Sequence, residues 1–100
     1  MNYYVYILFS PSTNKFYKGH THSLTARLKR HNSGYELATK PGIPWSLIWS
    51  IKKQTRSEAV RLEKKLKNLS KNKLIEFVLK YKDNCAGPDA LNLVVQWSGC

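Results

Sequence analysis

Seven consecutive residues from Tyr3 to Phe9 are apolar or aromatic, a run long enough for a strand and too short for a helix. Because no polar residue alternates with them, they predict a central strand buried on both faces. Ser10 to Lys15 is turn chemistry, and Phe16 to Thr21 follows as the return strand of a hairpin. Gly19 inside that strand suggests a bulge or a close backbone approach by a ligand. If Phe9 lies opposite Phe16, Tyr17 faces Leu8, which shares a sheet face with Tyr6, and the two tyrosine hydroxyls converge diagonally. A register slip of one residue separates them.

Helical patterns come next. Ser23 is a good N-cap for a helix from Leu24 to about Ser33, which Gly34 stops. Residues 35–44 form a loop rich in Pro and Gly, and Trp45 to Lys52 is a third strand. Thr55 and Glu58 form a capping box that opens a second helix with an apolar stripe of Ala59, Leu62, Leu66 and Leu69. Ser70 caps a third helix carrying Leu74, Phe77, Val78 and Tyr81. The order is β-β-α-β-α-α. It predicts an α+β fold, a three-stranded antiparallel sheet flanked by helices, in one domain over residues 1–82. Residues 83–100 are a C-terminal tail, a linker followed by a short apolar segment, disordered in part or docked on the core.

Charge changes the picture. Residues 1–82 hold all 17 Lys and Arg beside only four acids, Glu36, Glu58, Glu63 and Glu76, for a net of +13. A surface this basic points to a polyanion, most simply nucleic acid. No stretch approaches the ~20 apolar residues of a membrane span. The N-terminus has neither the basic region nor the cleavage site of a signal peptide, so a cytoplasmic protein is expected. Cys85 and Cys100 are no disulfide framework, and no cysteine-histidine cluster has zinc-ligand spacing. The pair His20 and His22 lacks a third ligand and is read as structural or solvent-facing.

Two polar positions break the helical pattern. On the first helix Arg27 and His31 share the face of Leu24 and Leu28, which should pack on the sheet. An arginine there is costly unless an anion meets it. The bland alternative is an Arg27 that reaches out to solvent and a His31 that is hydrogen-bonded core. On the second helix Glu63 lies at the edge of the apolar stripe, among Arg61, Lys64, Lys65 and Lys67. It is either one half of an i,i+4 ion pair with Lys67 or the best-placed ligand for a hard cation.

Taken in order, these residues resemble the GIY-YIG nuclease superfamily, in particular its small bacterial members similar to the N-terminal domain of an excinuclease ABC subunit. Tyr4-Val5-Tyr6 matches the first motif with Tyr in place of Gly, and Tyr17-Lys18-Gly19 the second with Lys in place of Ile. Thr21, Leu24, Arg27, Leu28 and His31 look like its first helix, and Glu58-Ala59 with Glu63 looks like the helix that carries its metal-binding glutamate. The resemblance implies that Glu63 holds one Mg²⁺ or Mn²⁺ and that Arg27 clamps the scissile phosphate. It implies that Tyr6 and Tyr17 position or deprotonate the attacking water, and that His31 assists that proton transfer. Nearby cations are expected to lower the tyrosine pKa from about 10.

The expected activity is metal-dependent endonucleolytic hydrolysis, nicking DNA with little sequence specificity in repair or recombination. Lys18, Lys40, Lys52, Lys53, Arg56, Lys64, Lys65 and Lys67 would grip backbone phosphates. A monomer or weak dimer is expected, and no protein partner is implied. The alternatives are a nucleic-acid-binding module of the same fold without turnover, and a protein-interaction domain anchored on Trp45, Trp49 and Trp97.

Overall fold

The computed structural model describes residues 2–85. Strands β1 (Tyr3–Ser10), β2 (Lys15–Thr21) and β3 (Ser46–Lys53) form an antiparallel sheet in the order β2-β1-β3. The helices are α1 (Leu24–Asn32), α2 (Arg56–Lys67) and α3 (Lys71–Lys80), with short 3-10 turns at Lys40–Gly42 and Lys82–Asn84. The expected order and sheet are observed. The tail segment from residue 86 on, with Trp97 and Cys100, lies outside the described residues.

Local chemistry sets the boundaries as expected. The Ser23, Thr55 and Ser70 hydroxyls accept hydrogen bonds from the amides of Ala26, Glu58 and Lys73, satisfying donors that the first turns leave free. Gly34, at φ 87°, provides the left-handed residue that ends α1. The third strand runs one residue later than expected, because Trp45 is drawn into the loop contacts described below.

β1 is the central strand, and its residues alternate between two cores. Val5, Ile7 and Phe9 pack with Ile48, Trp49, Ala59, Leu66, Leu74, Ile75 and Val78 under α2 and α3. A register shift between Ile7 and Leu8 marks a β-bulge opposite β3, and Ile48 and Trp49 both enter this cluster. Each fully buried aliphatic side chain of this kind contributes roughly 1.5–3 kcal/mol. Tyr6 and Leu8 face the other way, onto Trp45, Leu24, Leu28 and Tyr17. Trp45 and Trp49 are therefore core residues and not surface anchors. Tyr81 departs from the expected third-helix stripe: it lies past the helix end and is 43% exposed, while Ile75 takes a buried place.

Among the described residues no helix is long and apolar enough to cross a membrane.

Candidate active site

The hairpin register is the one that brings the tyrosines together. Phe9 pairs with Phe16, Leu8 with Tyr17 and Tyr6 with Gly19. The Tyr6 and Tyr17 rings stack with centroids 6.2 Å apart. Gly19 forms no bulge, since the β1–β2 register runs through it unbroken. A Cβ on Gly19 would stand 2.7 Å from the Tyr6 hydroxyl oxygen, so the Tyr6 ring occupies the space a side chain would need. The glycine of the second motif thus serves the tyrosine of the first.

On the same face α1 presents His31. It is buried, with its Nε2 3.1 Å from the Tyr6 hydroxyl and its Nδ1 3.2 Å from the Thr39 hydroxyl. Thr39 in turn donates to the Glu36 carbonyl at 3.4 Å. The network assigns one consistent direction: Tyr6 O–H donates to Nε2, and Nδ1–H donates to Thr39. The Tyr17 ring lies against the imidazole, with centroids 4.6 Å apart. His31 is therefore hydrogen-bonded core, as the bland alternative held, and also the partner of a motif tyrosine.

Thr39 gave no signal in the sequence. It sits in the Pro- and Gly-containing loop, which folds back because Asn32 brackets the backbone of Trp45, accepting from its amide at 2.6 Å and donating to its carbonyl at 3.0 Å. The Trp45 indole N–H then donates to the Thr39 carbonyl at 2.7 Å. These bonds tie the C-terminal end of α1 to the start of β3 and seat Thr39 beneath His31.

Electrostatics bears on the expected lowering of the tyrosine pKa by Arg27 and a metal. The Tyr6 hydroxyl is pushed well above the ordinary tyrosine range, chiefly by burial, with Tyr17 and Glu63 adding to the rise. Arg27 opposes it by charge and hydrogen bonding but does not prevail. In the protein alone, nearby cations thus fail to make Tyr6 more acidic, because removal from water outweighs a single partly exposed guanidinium. Burial, followed by the Arg27 charge, holds the His31 imidazole below its ordinary range, so it is neutral at pH 7.

Glu63 lies across β2 from this group, on the α2 side. Its Oε1 accepts from His20 Nδ1 at 2.8 Å, and its Oε2 pairs with Lys67 Nζ at 3.2 Å. The i,i+4 pair with Lys67 is present as the bland alternative held. The His20 contact gives the structural reading of that histidine a definite partner: opposite Val5, it points to α2 and holds the carboxylate. Strand alternation could have signalled it, since residues 18 and 20 share a face opposite to that of Tyr17. Among the described residues no three His, Cys, Asp or Glu side chains gather as a metal cluster. One carboxylate suits a magnesium-like cation that keeps most of its waters and takes further oxygens from a phosphate. The residues present fit such an ion.

The expected phosphate-gripping residues are not all together. Lys18 stands near Lys67, and burial together with the Lys67 charge lowers its pKa. Arg56 lines a cleft with Arg27. Lys52 and Lys53 lie on β3, the opposite edge of the sheet from β2, Lys40 opens the loop's 3-10 turn, and Lys64 and Lys65 are exposed on α2.

Comparison with known proteins follows the same lines. The sequence model of the family described as the GIY-YIG catalytic domain matches residues 2–76. The solution structure of a UPF0213 protein from Bacillus halodurans is similar at 33% identity and a TM-score of 0.54, the match covering 90% of this chain and 92% of that one. No curated protein sequence is matched.

Proposed function

The chain belongs to the GIY-YIG catalytic domain family, and from that premise we propose that it is a metal-dependent endonuclease that hydrolyses phosphodiester bonds of nucleic acid. DNA nicked with little sequence specificity, in repair or recombination, is the expected substrate and setting. The observation that carries the reading is the joining of Tyr6, Tyr17 and His31 around Gly19, with Arg27 on the same helix and Glu63 across the strand.

Each group has a task that its surroundings support. Arg27 neutralises the charge that develops on the phosphate. Tyr6, kept protonated by burial, is no free-standing base, but it can pass its proton to neutral His31 while taking one from water. No free tyrosinate is then required. The imidazolium so formed is disfavoured by burial and by Arg27, so it readily gives the proton back through the Tyr6 hydroxyl once cleavage is complete. Tyr17, against the same imidazole, fixes its orientation. Thr39 holds the tautomer that leaves Nε2 free to accept. Glu63 would hold Mg²⁺ or Mn²⁺, which supplies Lewis-acid stabilisation of phosphate charge when bound. Lys18 and Lys67 beside it would hold the backbone, without reading sequence.

One observation favours a second reading, a binding module without turnover: both Glu63 oxygens are already engaged. The Lys67 ammonium is half exposed on a long flexible stem, so it can swing aside and yield Oε2 to a cation. The deciding assay is nicking of branched, nicked and single-stranded DNA with and without Mg²⁺. Glu63→Gln should abolish cleavage and leave nucleic-acid binding intact or slightly stronger. Cleavage unchanged in that variant rules out the metal assignment, and no cleavage by the unaltered protein favours the binding module.

A further inference from the structure

At one end of the sheet a cleft of about 380 Å³ opens between the start of β1 and the first turns of α1 and α2. Tyr3, His20, His22, Ser23, Arg27 and Arg56 line it, and no carboxylate does. Arg27 from α1 and Arg56 from α2 thus share one cleft. Neither takes part in an ion pair among the described residues, where the paired acids are Glu36, Glu63 and Glu76. Arg56 is the first residue of α2, where the helix dipole disfavours a cation, so helix stability does not explain its presence.

The rest of the lining includes two rings that are already fixed. The rings of Tyr3 and His22 lie 4.5 Å apart, tilted at 49°. His22 is exposed, yet its ring is held by Nδ1–H donating to the Asn2 carbonyl at 3.2 Å. Tyr3 is anchored by packing against the larger core. Two planar cations and a fixed ring pair lining one cleft suit one nucleotide, the phosphate on the guanidiniums and the base on the rings.

We propose that this cleft is a nucleotide subsite that takes the unpaired nucleotide next to the phosphate bound at Arg27, which makes the preferred substrate a strand with an unstacked base beside the cut. A base within a duplex is stacked and paired and must be extruded before it can enter, whereas single strands, flaps and gaps enter without that cost. Ring stacking tolerates any base, since each has a π-face, and selection is therefore by strand structure and not by sequence. The adjacency to the cut rests on the nuclease reading above; the nucleotide binding does not.

The test is carried out without metal, so no turnover intervenes. Fluorescence anisotropy at fixed low salt compares a labelled single-stranded oligonucleotide with a blunt duplex of equal length. The unaltered protein should bind the single strand roughly tenfold more tightly, within the range expected for stacking one base. His22→Ala and Tyr3→Leu should remove most of that preference and leave duplex affinity nearly unchanged. Arg56→Gln should weaken single-strand binding more than duplex binding. Melting curves identify any variant that has lost its fold, and exposed His22 provides a substitution that the core does not feel. In NMR titrations a thymidylate dinucleotide should shift the Tyr3 and His22 ring signals, whereas inorganic phosphate should shift Arg27 and Arg56 and leave the two rings unmoved. Equal affinity for both oligonucleotides, or variants that weaken both equally, would overturn the subsite and leave an unselective basic surface. Selective binding without Mg²⁺-dependent nicking would leave the subsite standing and remove the nuclease reading. Nicking without selectivity would do the reverse.

Discussion

Val5, Ile7 and Phe9 of β1 point toward α2 and α3, while Tyr6 and Leu8 point toward α1, so a single strand feeds two cores of different kinds. The first is a dry aliphatic and aromatic cluster from every major element except α1. The second is small and built around polar groups: Tyr6, His31 and Thr39 are buried and joined by hydrogen bonds. Among the described residues no buried side-chain nitrogen or oxygen lacks a partner, so the polar core avoids the penalty of unsatisfied groups. Even so, it gains less from burial than the dry one. The difference teaches that stability and chemistry are separated by the two-residue period of one strand, with the dry face stable enough to let the other carry Tyr6, His31 and Arg27.

The comparison breaks most easily on the dry side. Leu66→Ala removes a fully buried side chain from α2 and should cost about 2–5 kcal/mol, read as a lowered urea midpoint. A loss below about 1 kcal/mol would mean that the α2 face is not the main source of stability.

Gly19→Ala tests the other face with a single methyl group. The new Cβ would meet the Tyr6 hydroxyl carbon at 2.9 Å as well as the oxygen, in a ring already buried and stacked on Tyr17. Tyr6 must move, at a cost of about 1–3 kcal/mol of overpacking, and its bond to His31 should lengthen or break. The expected result is a folded protein with nicking reduced by orders of magnitude. Full activity in this variant would detach Tyr6 from the reaction.

The third prediction sharpens the electrostatic contrast. Folding lowers the His31 pKa, so below an ordinary value of about 6.5 the unfolded chain takes up that proton before the folded one does. The contribution of His31 to stability is thus complete above that pH. It falls as the pH drops toward the depressed folded value. Melting temperatures measured from pH 7.5 to pH 5 should decline more steeply for the unaltered protein than for His31→Gln. Parallel curves would show that burial of the imidazole is not what disfavours its charge.

Much of the fold was legible because its signals are local. The unbroken apolar run of β1, the hydroxyl caps at Ser23, Thr55 and Ser70, and the stripe on α2 each act within a few residues, and the structure follows them. The pairing of Tyr6 with Gly19 was legible too, once one aromatic pair fixed the hairpin register. The contacts that complete the site were not. Thr39 reaches His31 only because Asn32 and Trp45 fold the loop back, and nothing in the spacing of residues 32, 39 and 45 announces that closure. The His20 contact joins residues 43 positions apart in sequence, across β2 and α2. The protonation of Tyr6 depends on how deeply the ring is buried, a quantity that a motif does not carry.

The smallest expected effect distinguishes a surface ion pair from a working one. Lys67 is half exposed and engages Glu63 Oε2, whereas the less exposed His20 holds Oε1. An i,i+4 pair whose ammonium is half in solvent contributes about 0.3–0.5 kcal/mol, so Lys67→Ala should barely move the melting temperature. If Lys67 also grips a phosphate, its loss should reduce the slope of log affinity against log salt on duplex DNA by about 0.9. Glu63→Gln, which removes the acid from the same pair, should leave that slope unchanged because it takes no cation from the interface. Two variants that break one ion pair would then differ in salt dependence. Equal slopes for both would mean that Lys67 serves only its carboxylate, and the phosphate grip beside Glu63 would rest on Lys18 alone.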